Sequence, residues 1–172
     1  MLGDGAEQVE RHVGDGRRFG LSVRHVEDGP RLRGTGGSIV HMLDQLSSTF
    51  WVPYGDTLLQ VPIAEVEESF RRSGLKGCMT VLENRDRWET SNVAIEGRYV
   101  VAYDPAARPG MYQYIDYGML LFRPDAFDGL DREETCGLGE VITRLAAVLE
   151  LGWFRVTERF HDIGNERTYR ET

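Results

Sequence analysis

The stretch FWVPYGDTLL, residues 50–59, places a single acidic residue, Asp56, directly behind a short apolar run. The run FWVPY (50–54) predicts a buried β-strand, and Gly55 with Asp56 predicts the turn that ends it. A carboxylate at the end of a buried strand costs free energy unless a positive partner meets it. Asp56 is therefore a candidate ligand for Mg²⁺, which is commonly bound by one or two carboxylates and phosphate oxygens. The alternative is that Asp56 caps the following turn, and these residues alone leave both interpretations open.

The segments that flank this stretch alternate between helix and strand patterns. Before it, residues 4–13 predict a helix beginning near Asp4, residues 21–26 a strand, and residues 29–38 a glycine-rich loop that leads into a short helix. After it, residues 63–74 predict a helix that Gly74 closes. This order of elements is typical of an α/β fold.

The second half of the chain is richer in β-type runs. Four such runs, separated by turns, span residues 78–84, 91–97, 98–104 and 112–122. A helix (133–152) and a strand (153–160) follow them, and a turn with a terminal helix (161–172) ends the sequence. We therefore expect a doubly wound, mostly parallel mixed sheet with an added antiparallel layer.

Length and composition restrict the classes of function. The 172 residues, 41% of them hydrophobic, suit one domain spanning 1–172. The net charge of -8 and the scattered arginines predict no nucleic-acid partner. No apolar stretch reaches the roughly 18 to 20 residues of a membrane span, and no secretory signal begins the sequence, so we expect a cytoplasmic protein without membrane contact. Cys78 and Cys136 are expected to be buried thiols rather than zinc ligands or a disulfide.

Three further motifs contain residues that suit binding. In residues 34–37, the sequence GTGG lets the backbone approach a flat or anionic ligand, and free amides at the following helix start favour electron-rich atoms; a plain tight turn is the alternative. Asp162, like Asp56, follows a strand-like run, and both acids are able to converge on one cation. Asp116 suits a buried structural acid paired with an arginine, and Gly118 suits a bulge or the close approach of a sugar ring.

Taken together, five stretches resemble the sugar-phosphate nucleotidylyltransferases, also called NDP-sugar pyrophosphorylases, in the order typical of that family. They are most similar to members that act on mannose-type and heptose-type phosphates with a guanine nucleotide. The stretches are LRGTGGSIVHML (32–43), FWVPYGDTLL (50–59), MTVLENRDRWETSNVAIEG (79–97), MYQYIDYGMLLF (111–122) and RFHDIGNERTYRE (159–171).

This resemblance implies a Rossmann-like nucleotide-diphospho-sugar transferase fold and a transfer reaction. A sugar phosphate attacks the α-phosphorus of a nucleoside triphosphate, with GTP favoured, and pyrophosphate leaves. The residues that the resemblance assigns are catalytic and Mg²⁺-binding Asp56 and Asp162, nucleotide-binding Gly34, Thr35, Gly36, Gly37, Gly55 and Asp56, and sugar-binding Asn84, Asn92, Tyr117 and Gly118.

The sequence departs from the family pattern in two places. Members of the family begin with a strand and a GGxGTRL loop, for which this sequence has no counterpart, so we expect an N-terminally truncated, partial domain. Pro105, in YDP (103–105), stands where the family usually has a lysine, and Arg108 is the nearby candidate to replace it. An absent first strand exposes backbone edges, which predicts poor folding alone, homo-oligomerisation or a strand-donating partner chain.

Three functional hypotheses follow from these features. The first is an active nucleotidylyltransferase, which the pair Asp56 and Asp162 favours. The second is a noncatalytic module that binds or senses nucleotide-sugars, which Pro105 and the missing loop favour. The third is an inactive truncated product. Release of pyrophosphate from nucleoside triphosphates in the presence of sugar phosphates distinguishes the first from the others.

Overall fold

A computed structural model of the chain describes residues 5–26, 32–164 and 166–172, without the side chains of residues 167 and 171. The helices are α1 (Ala6–Val13), α2 (Gly34–Met42), α3 (Ile63–Ser73), α4 (Leu138–Ala147) and α5 (Glu166–Glu171). The strands are β1 (Phe50–Pro53), β2 (Thr57–Leu58), β3 (Gly77–Glu83), β4 (Val93–Glu96), β5 (Tyr99–Tyr103), β6 (Tyr114–Phe122), β7 (Leu151–Val156) and β8 (His161–Asp162). The predicted α/β class is confirmed.

Six strands form a mixed sheet in the order β1-β6-β3-β7-β5-β4, and β2 and β8 form a separate two-stranded sheet. The mixed character is as predicted, but the expectation that the sheet is mostly parallel is wrong for the described residues. Only β3 and β7 pair in parallel, and the other described pairings are antiparallel. The physical reason is connectivity, since β4 and β5 form a hairpin and β6 runs back between β1 and β3.

Side chains of the sheet alternate between two apolar layers. Met79 and Val81 of β3 face a core that α2 and α4 cover, whereas Cys78 faces α3. Because successive strand residues point to opposite faces and both faces are apolar, β3 is a nearly continuous apolar run in the sequence, as the predicted β-type run at 78–84 indicates. Both Cys78 and Cys136 are buried and free, as expected.

Helix α3 forms as predicted. It buries Val66 and Phe70, carries Glu65 in its first turn and arginines in its last, and ends at Gly74, whose φ is +70°. Acids near the start and bases near the end complement the helix dipole, and glycine supplies the left-handed residue that terminates the helix. None of the described helices is long and apolar enough to cross a membrane.

Two predicted strands differ in the structure. Residues 21–26 form no strand among the described residues, because Val23 N–H donates to Asp15 O and folds the segment back on its own turn. Strand β1 does form, but it is half-buried rather than buried, since within the described chain it pairs only with β6. The predicted helix start at Asp4 lies outside the described residues, and α1 begins at Ala6.

The outer edge of β1 contains a proline. Tyr54 N–H donates to Gly118 O at 2.8 Å. Because backbone groups alternate along an antiparallel strand, those of Val52 face β6, and those of Trp51 and Pro53 face the open edge. Proline has no N–H, and within sheets it is confined mainly to such edge positions. The Trp51 side chain is held by its indole N–H, which donates to Glu67 Oε1 at 2.9 Å.

Candidate active site

The structure brings Asp56 and Asp162 together from distant parts of the sequence. Their elements meet where β2 pairs with β8, with Thr57 opposite Asp162, and Ile163 N–H donates to Asp56 O at 2.8 Å. A β-carbon built on Gly164 would lie 2.7 Å from Asp56 Oδ2 and 3.0 Å from Asp162 Oδ1. Both carboxylates therefore border one small space beside Gly164, which stays open because glycine has no side chain.

Asp56 itself is exposed, so the desolvation cost that its position after a buried strand suggested does not arise. Asp162 is partly buried, and two carboxylates in one place repel each other, so a shared cation would relieve that repulsion. The described residues contain no group of three or more His, Cys, Asp or Glu that would hold a metal alone. A pair of carboxylates suits Mg²⁺, which completes its shell with water and phosphate oxygens.

Two cavities meet beside the aspartate pair, at Tyr54 and Asp56. The larger has a volume of about 810 Å³ and lies beside the open edge of β1 under α2 and the start of α4. The smaller, about 220 Å³, lies over the bulged part of β6 and contains both Asp56 and Asp162 in its wall. Tyr54 and Asp56 line both cavities. A molecule in one cavity would thus meet a molecule in the other at these two residues.

The glycines of residues 34–37 lie within α2 and its start rather than in an open loop. Gly36 and Gly37 N–H both donate to Cys136 O at 2.9 Å, so these amides are not free for an anion. A β-carbon on Gly34 would lie 2.6 Å from Cys136 O, and one on Gly36 would lie 3.0 Å from Gly137 O. The three glycines are therefore explained by close packing of the chain on itself.

Thr35 is the residue of this motif that lines the larger cavity. Its hydroxyl accepts the N–H of Leu138 at 2.9 Å, which ties the start of α4 to α2. Gly55 also lines the larger cavity, and nothing lies within 4 Å of the position of its β-carbon. Thr35 and Gly55 are thus the predicted nucleotide-binding residues, besides Asp56, that the structure places at this cavity.

A buried carboxylate, Asp116, forms part of the wall of the smaller cavity. Tyr54 O–H donates to its Oδ2 at 2.5 Å, and Gly118 N–H donates to its Oδ1 at 2.9 Å. The sequence suggested an arginine partner, whereas the structure supplies a tyrosine hydroxyl and a backbone amide. Burial raises the pKa of Asp116, and burial beside that carboxylate raises the pKa of Tyr54 and of Tyr103.

A β-bulge in β6 directs Asp116 into this cavity. The register with β3 shifts between Met79 and Val81, opposite Gly118, whose φ is +88°. A β-carbon on Gly118 would lie 3.0 Å from the Tyr54 ring, and Thr80 O–H donates to Met119 O at 2.6 Å across the bulge. The bulge interpretation of Gly118 is confirmed, and bulges often re-aim side chains beside functional sites.

The candidate sugar-binding residues separate into two groups. Asn92 lines the smaller cavity and accepts the N–H of Asp116 at 3.0 Å. Asn84 is 3% exposed, and its amide group bonds to Glu89 O, Ser91 Oγ and Trp88 N–H, so it holds its own loop. Tyr117 and Gly118 also line the smaller cavity, but the side chain of Tyr117 is core, since the residue is 1% exposed and its hydroxyl accepts Gln60 N–H.

The departure at Pro105 leaves the smaller cavity without a lysine. Pro105 lies at a separate surface hollow beside α4, and Arg108 is absent from the described lining of both cavities. Tyr54, Tyr103 and Glu89 line the smaller cavity instead, and none of them is among the residues predicted from the sequence. The position of Tyr54 at the end of the predicted strand, directly before Gly55 and Asp56, is the sequence signal that could have identified it.

The raised pKa of Asp116 predicts a pH-dependent effect of Asp116→Asn on stability. A group whose pKa is raised by folding stabilises the folded protein most at pH values below its pKa in the unfolded chain. This stabilisation is lost as the pH rises through its pKa in the folded protein. The free energy of unfolding of Asp116→Asn relative to the unmodified protein should therefore increase from pH 4 to pH 7. Urea unfolding at several pH values measures this, and a difference that is constant or falls with pH would contradict it.

Comparison with known proteins shows which solved structures share this fold. No known protein-family profile matches the chain. One such structure is a protein assigned as a glucose-1-phosphate thymidylyltransferase from Bacillus anthracis, in complex with a sucrose. It aligns with a TM-score of 0.77 at 14% identity, and the alignment covers 96% of this chain and 69% of the thymidylyltransferase chain.

Two further solved structures have the same arrangement. HddC from Yersinia pseudotuberculosis, complexed with GMP-PN, aligns with a TM-score of 0.77 at 18% identity over 97% of this chain and 72% of its own. The inositol-1-phosphate CTP transferase from T. maritima aligns with a TM-score of 0.73 at 16% identity, and the alignment covers 96% of this chain and 69% of the transferase chain. At these identities the similarity is one of fold, and this chain has the Rossmann-like mixed fold of these nucleotidyltransferases.

Proposed function

We propose that this chain is a sugar-phosphate nucleotidyltransferase, which joins a nucleoside triphosphate to a sugar phosphate to give an NDP-sugar and pyrophosphate. One observation carries this proposal: Asp56 and Asp162 border a single space beside Gly164, and Asp56 also lines both of the cavities. A two-substrate phosphoryl-type transfer needs the reactants side by side with their charge neutralised between them. The similarity in fold to nucleotidyltransferases supports the same assignment.

In this proposal the larger cavity receives the nucleotide and the smaller one the sugar. Thr35 and Gly55 border the nucleotide, and the guanine nucleotide bound by HddC favours GTP. Asn92 and the backbone at Gly118 border the sugar. An oxygen of the sugar phosphate attacks the α-phosphorus, the bond from that phosphorus to the bridging oxygen breaks, and pyrophosphate leaves with the electron pair.

Asp56 and Asp162 are the residues that would hold Mg²⁺. When bound, the ion neutralises charge on phosphate oxygens and eases the departure of pyrophosphate. The two aspartates position their oxygens on one side of the space beside Gly164, and Tyr54 closes the wall between the cavities. The protein's own contribution is thus mainly orientation of the two phosphates, which is typical of such transfers.

A noncatalytic module that binds nucleotide-sugars is the second candidate. It is favoured by the absence of lysine and arginine from the described lining of both cavities. Transfer of a nucleotidyl group develops negative charge, which basic side chains ordinarily stabilise. Because no basic side chain is among the described lining residues, catalysis by this chain would depend on the bound cation.

Release of pyrophosphate separates these two functions. The protein is incubated with Mg²⁺, each of GTP, CTP, UTP and dTTP, and a panel of sugar 1-phosphates. Release that requires both substrates, with GTP most effective, supports the transferase. Binding of a nucleotide or nucleotide-sugar, seen by calorimetry, without release in any combination would identify the noncatalytic module.

The expected homo-oligomer or strand-donating partner remains a prediction. One place for it is the open edge of β1, beside the apolar part of the larger cavity formed by Ile39, Met42 and Leu46. The backbone groups that face this edge are the N–H and C=O of Trp51 and the C=O of Pro53, so the edge suits a short pairing with one partner strand rather than an extended ladder.

A further inference from the structure

The loop that joins β3 to β4, residues 84–92, contains a strained turn. Arg85 and Asp86 have φ values of +49° and +58°, so two successive residues with side chains lie in the left-handed region. For a residue with a β-carbon this conformation costs free energy, and it persists only where the surrounding structure holds it. Residues of this kind are concentrated at functional sites, which makes the turn a candidate for a role in binding.

The carboxylate of Asp86 holds the turn. Its Oδ1 accepts the N–H of Ser91 at 2.7 Å, and its Oδ2 accepts the N–H of Gly110 at 2.7 Å. The N–H of Asp86 donates in turn to Ser91 Oγ at 3.0 Å. The backbone N–H groups of Ser91 and Gly110 lower the pKa of Asp86. Asp86 is therefore charged at neutral pH, and hydrogen bonds to a charged acceptor are stronger than those between neutral groups.

Ser91 is the buried end of this contact. It is 0% exposed, and its hydroxyl also accepts a side-chain N–H of Asn84 at 3.0 Å. Ser91 lies between Glu89 and Asn92, which both line the smaller cavity. The amide group of Asn84 also donates to Glu89 O at 2.6 Å. Asp86 and Asn84 thus close the loop onto the segment that forms one wall of the smaller cavity.

Gly110 belongs to a second loop at this cavity, residues 104–113, which joins β5 to β6. The loop begins directly after Tyr103, which lines the smaller cavity. Its first residue, Asp104, donates its N–H to Asn92 O at 2.9 Å, so the two loops also meet through their backbones. The carboxylate of Asp86 therefore joins two loops at this cavity, with one oxygen bonded to each.

Asp86 does not itself border a ligand, since it is absent from the described lining of both cavities. A loop that only connects two strands could use glycine at this position, because glycine adopts such φ values without strain. A carboxylate at this position instead keeps the loop in one conformation. Its effect on a ligand would therefore be exerted through the wall of the smaller cavity.

We infer, on the basis of the function proposed above, that Asp86 is a positioning residue for the sugar phosphate. It keeps the loops at 84–92 and 104–113 in the conformation in which the wall of the smaller cavity is already formed. If only a fraction of the molecules had this wall formed, the apparent affinity would fall by the same fraction. None of the described residues that line the larger cavity belongs to either loop, so nucleotide binding should not depend on Asp86.

Asp131→Ala is the matched control for Asp86→Ala. Asp131 is exposed, and its carboxylate accepts the N–H of Glu133 at 2.9 Å. Substitution of Asp131 thus removes the same charge and a hydrogen bond of the same kind. Asp131 is absent from the described lining of both cavities.

Calorimetric titration in the presence of Mg²⁺ measures the effect. The ligands are mannose 1-phosphate, glucose 1-phosphate and a nonhydrolysable GTP analogue. We expect Asp86→Ala to weaken the binding of the sugar phosphates at least about fivefold and that of the GTP analogue less than about twofold. Asp131→Ala should change neither affinity. A role in stability alone would not separate the two ligands.

Two further substitutions separate the hydrogen bonds from the strain. Asp86→Gly removes the carboxylate and the strain together, whereas Asp86→Asn keeps one acceptor oxygen and tolerates the left-handed conformation. The affinity for the sugar phosphates should be intermediate in Asp86→Asn and lowest in Asp86→Ala and Asp86→Gly. An affinity in Asp86→Gly that equals or exceeds that of the unmodified protein overturns the inference.

Three other outcomes also overturn it. They are an unchanged affinity of Asp86→Ala for the sugar phosphates, an equal loss of affinity for sugar phosphate and GTP analogue, and no binding of either sugar phosphate by the unmodified protein. Release of pyrophosphate tests the transferase separately. A selective loss of sugar-phosphate binding without any release keeps the role of Asp86 and contradicts the transferase. Release by Asp86→Ala with an unchanged KM for the sugar phosphate keeps the transferase and contradicts the role of Asp86.

Discussion

Asp56→Asn is expected to lower the rate of pyrophosphate release at least about 100-fold, and Asp162→Asn is expected to do the same. Each change removes one of the two negative charges that border the space beside Gly164. The amide is similar in size to the carboxylate but carries no charge to hold a cation. Initial rates of pyrophosphate release at saturating substrates measure the effect.

Stability and cation dependence show whether the loss is one of chemistry. The carboxylates of Asp56 and Asp162 lie close together, so removing one charge relieves repulsion, and the free energy of unfolding should not fall. The Mg²⁺ concentration that gives half-maximal activity should rise in both variants. Asp128→Asn, an equal charge change at an exposed residue, should leave the rate unchanged. An Asp56→Asn variant that keeps more than half of the activity would contradict the assignment of Asp56 to the cation site.

The double variant provides a further check on the shared role. If both aspartates hold the same cation, the loss in the double variant should be close to that of either single variant rather than the product of the two. Multiplicative losses would mean that Asp56 and Asp162 act separately, which the geometry beside Gly164 argues against.

Gly34→Ala is expected to destabilise the protein by about 3 kcal/mol or more. Gly34 has a φ of +71°, and a β-carbon there would lie 2.6 Å from the backbone oxygen of Cys136. That oxygen accepts the N–H groups of Gly36 and Gly37, so it cannot move away without breaking two hydrogen bonds. Strain of the backbone and a steric clash therefore act together.

Gly74→Ala is the matched control for this prediction. Gly74 has nearly the same φ, +70°, but nothing lies within 4 Å of its β-carbon position. Gly74→Ala should lower the free energy of unfolding by about 1 kcal/mol, which is the cost of the left-handed conformation for a residue with a β-carbon. Urea unfolding of both variants measures the difference, which reports the contact with Cys136. Equal destabilisation by the two changes would show that the contact has no energetic role.

The elements that the sequence predicted well are those with a strong local signal. Strand β3 is a nearly continuous apolar run, and α3 has its acids, arginines and terminal glycine in the expected order. Residues 21–26 have the same alternation as a strand, yet they find no partner strand among the described residues. The period of a segment indicates which conformation it favours, whereas the neighbour with which it pairs depends on the rest of the chain.

The candidate site was predictable where it depended on residue type and not where it depended on contacts across the fold. Two aspartates after strand-like runs suggested a shared cation, and the structure does bring Asp56 and Asp162 together. The contact of Tyr54 with Asp116 joins the residue after β1 to a residue of β6, and no local pattern in the sequence predicts it. The glycines of residues 34–37 suggested a ligand because their partner, Cys136, is remote in sequence.

Pro53 has a consequence for the behaviour of the protein at high concentration. At the outer edge of β1, Trp51 supplies one backbone N–H and Pro53 supplies none. Fibrils grow when successive chains add to such an edge through an uninterrupted series of backbone hydrogen bonds. Pro53 interrupts that series after the single donor of Trp51. It therefore limits aggregation in which further chains pair with the edge of β1.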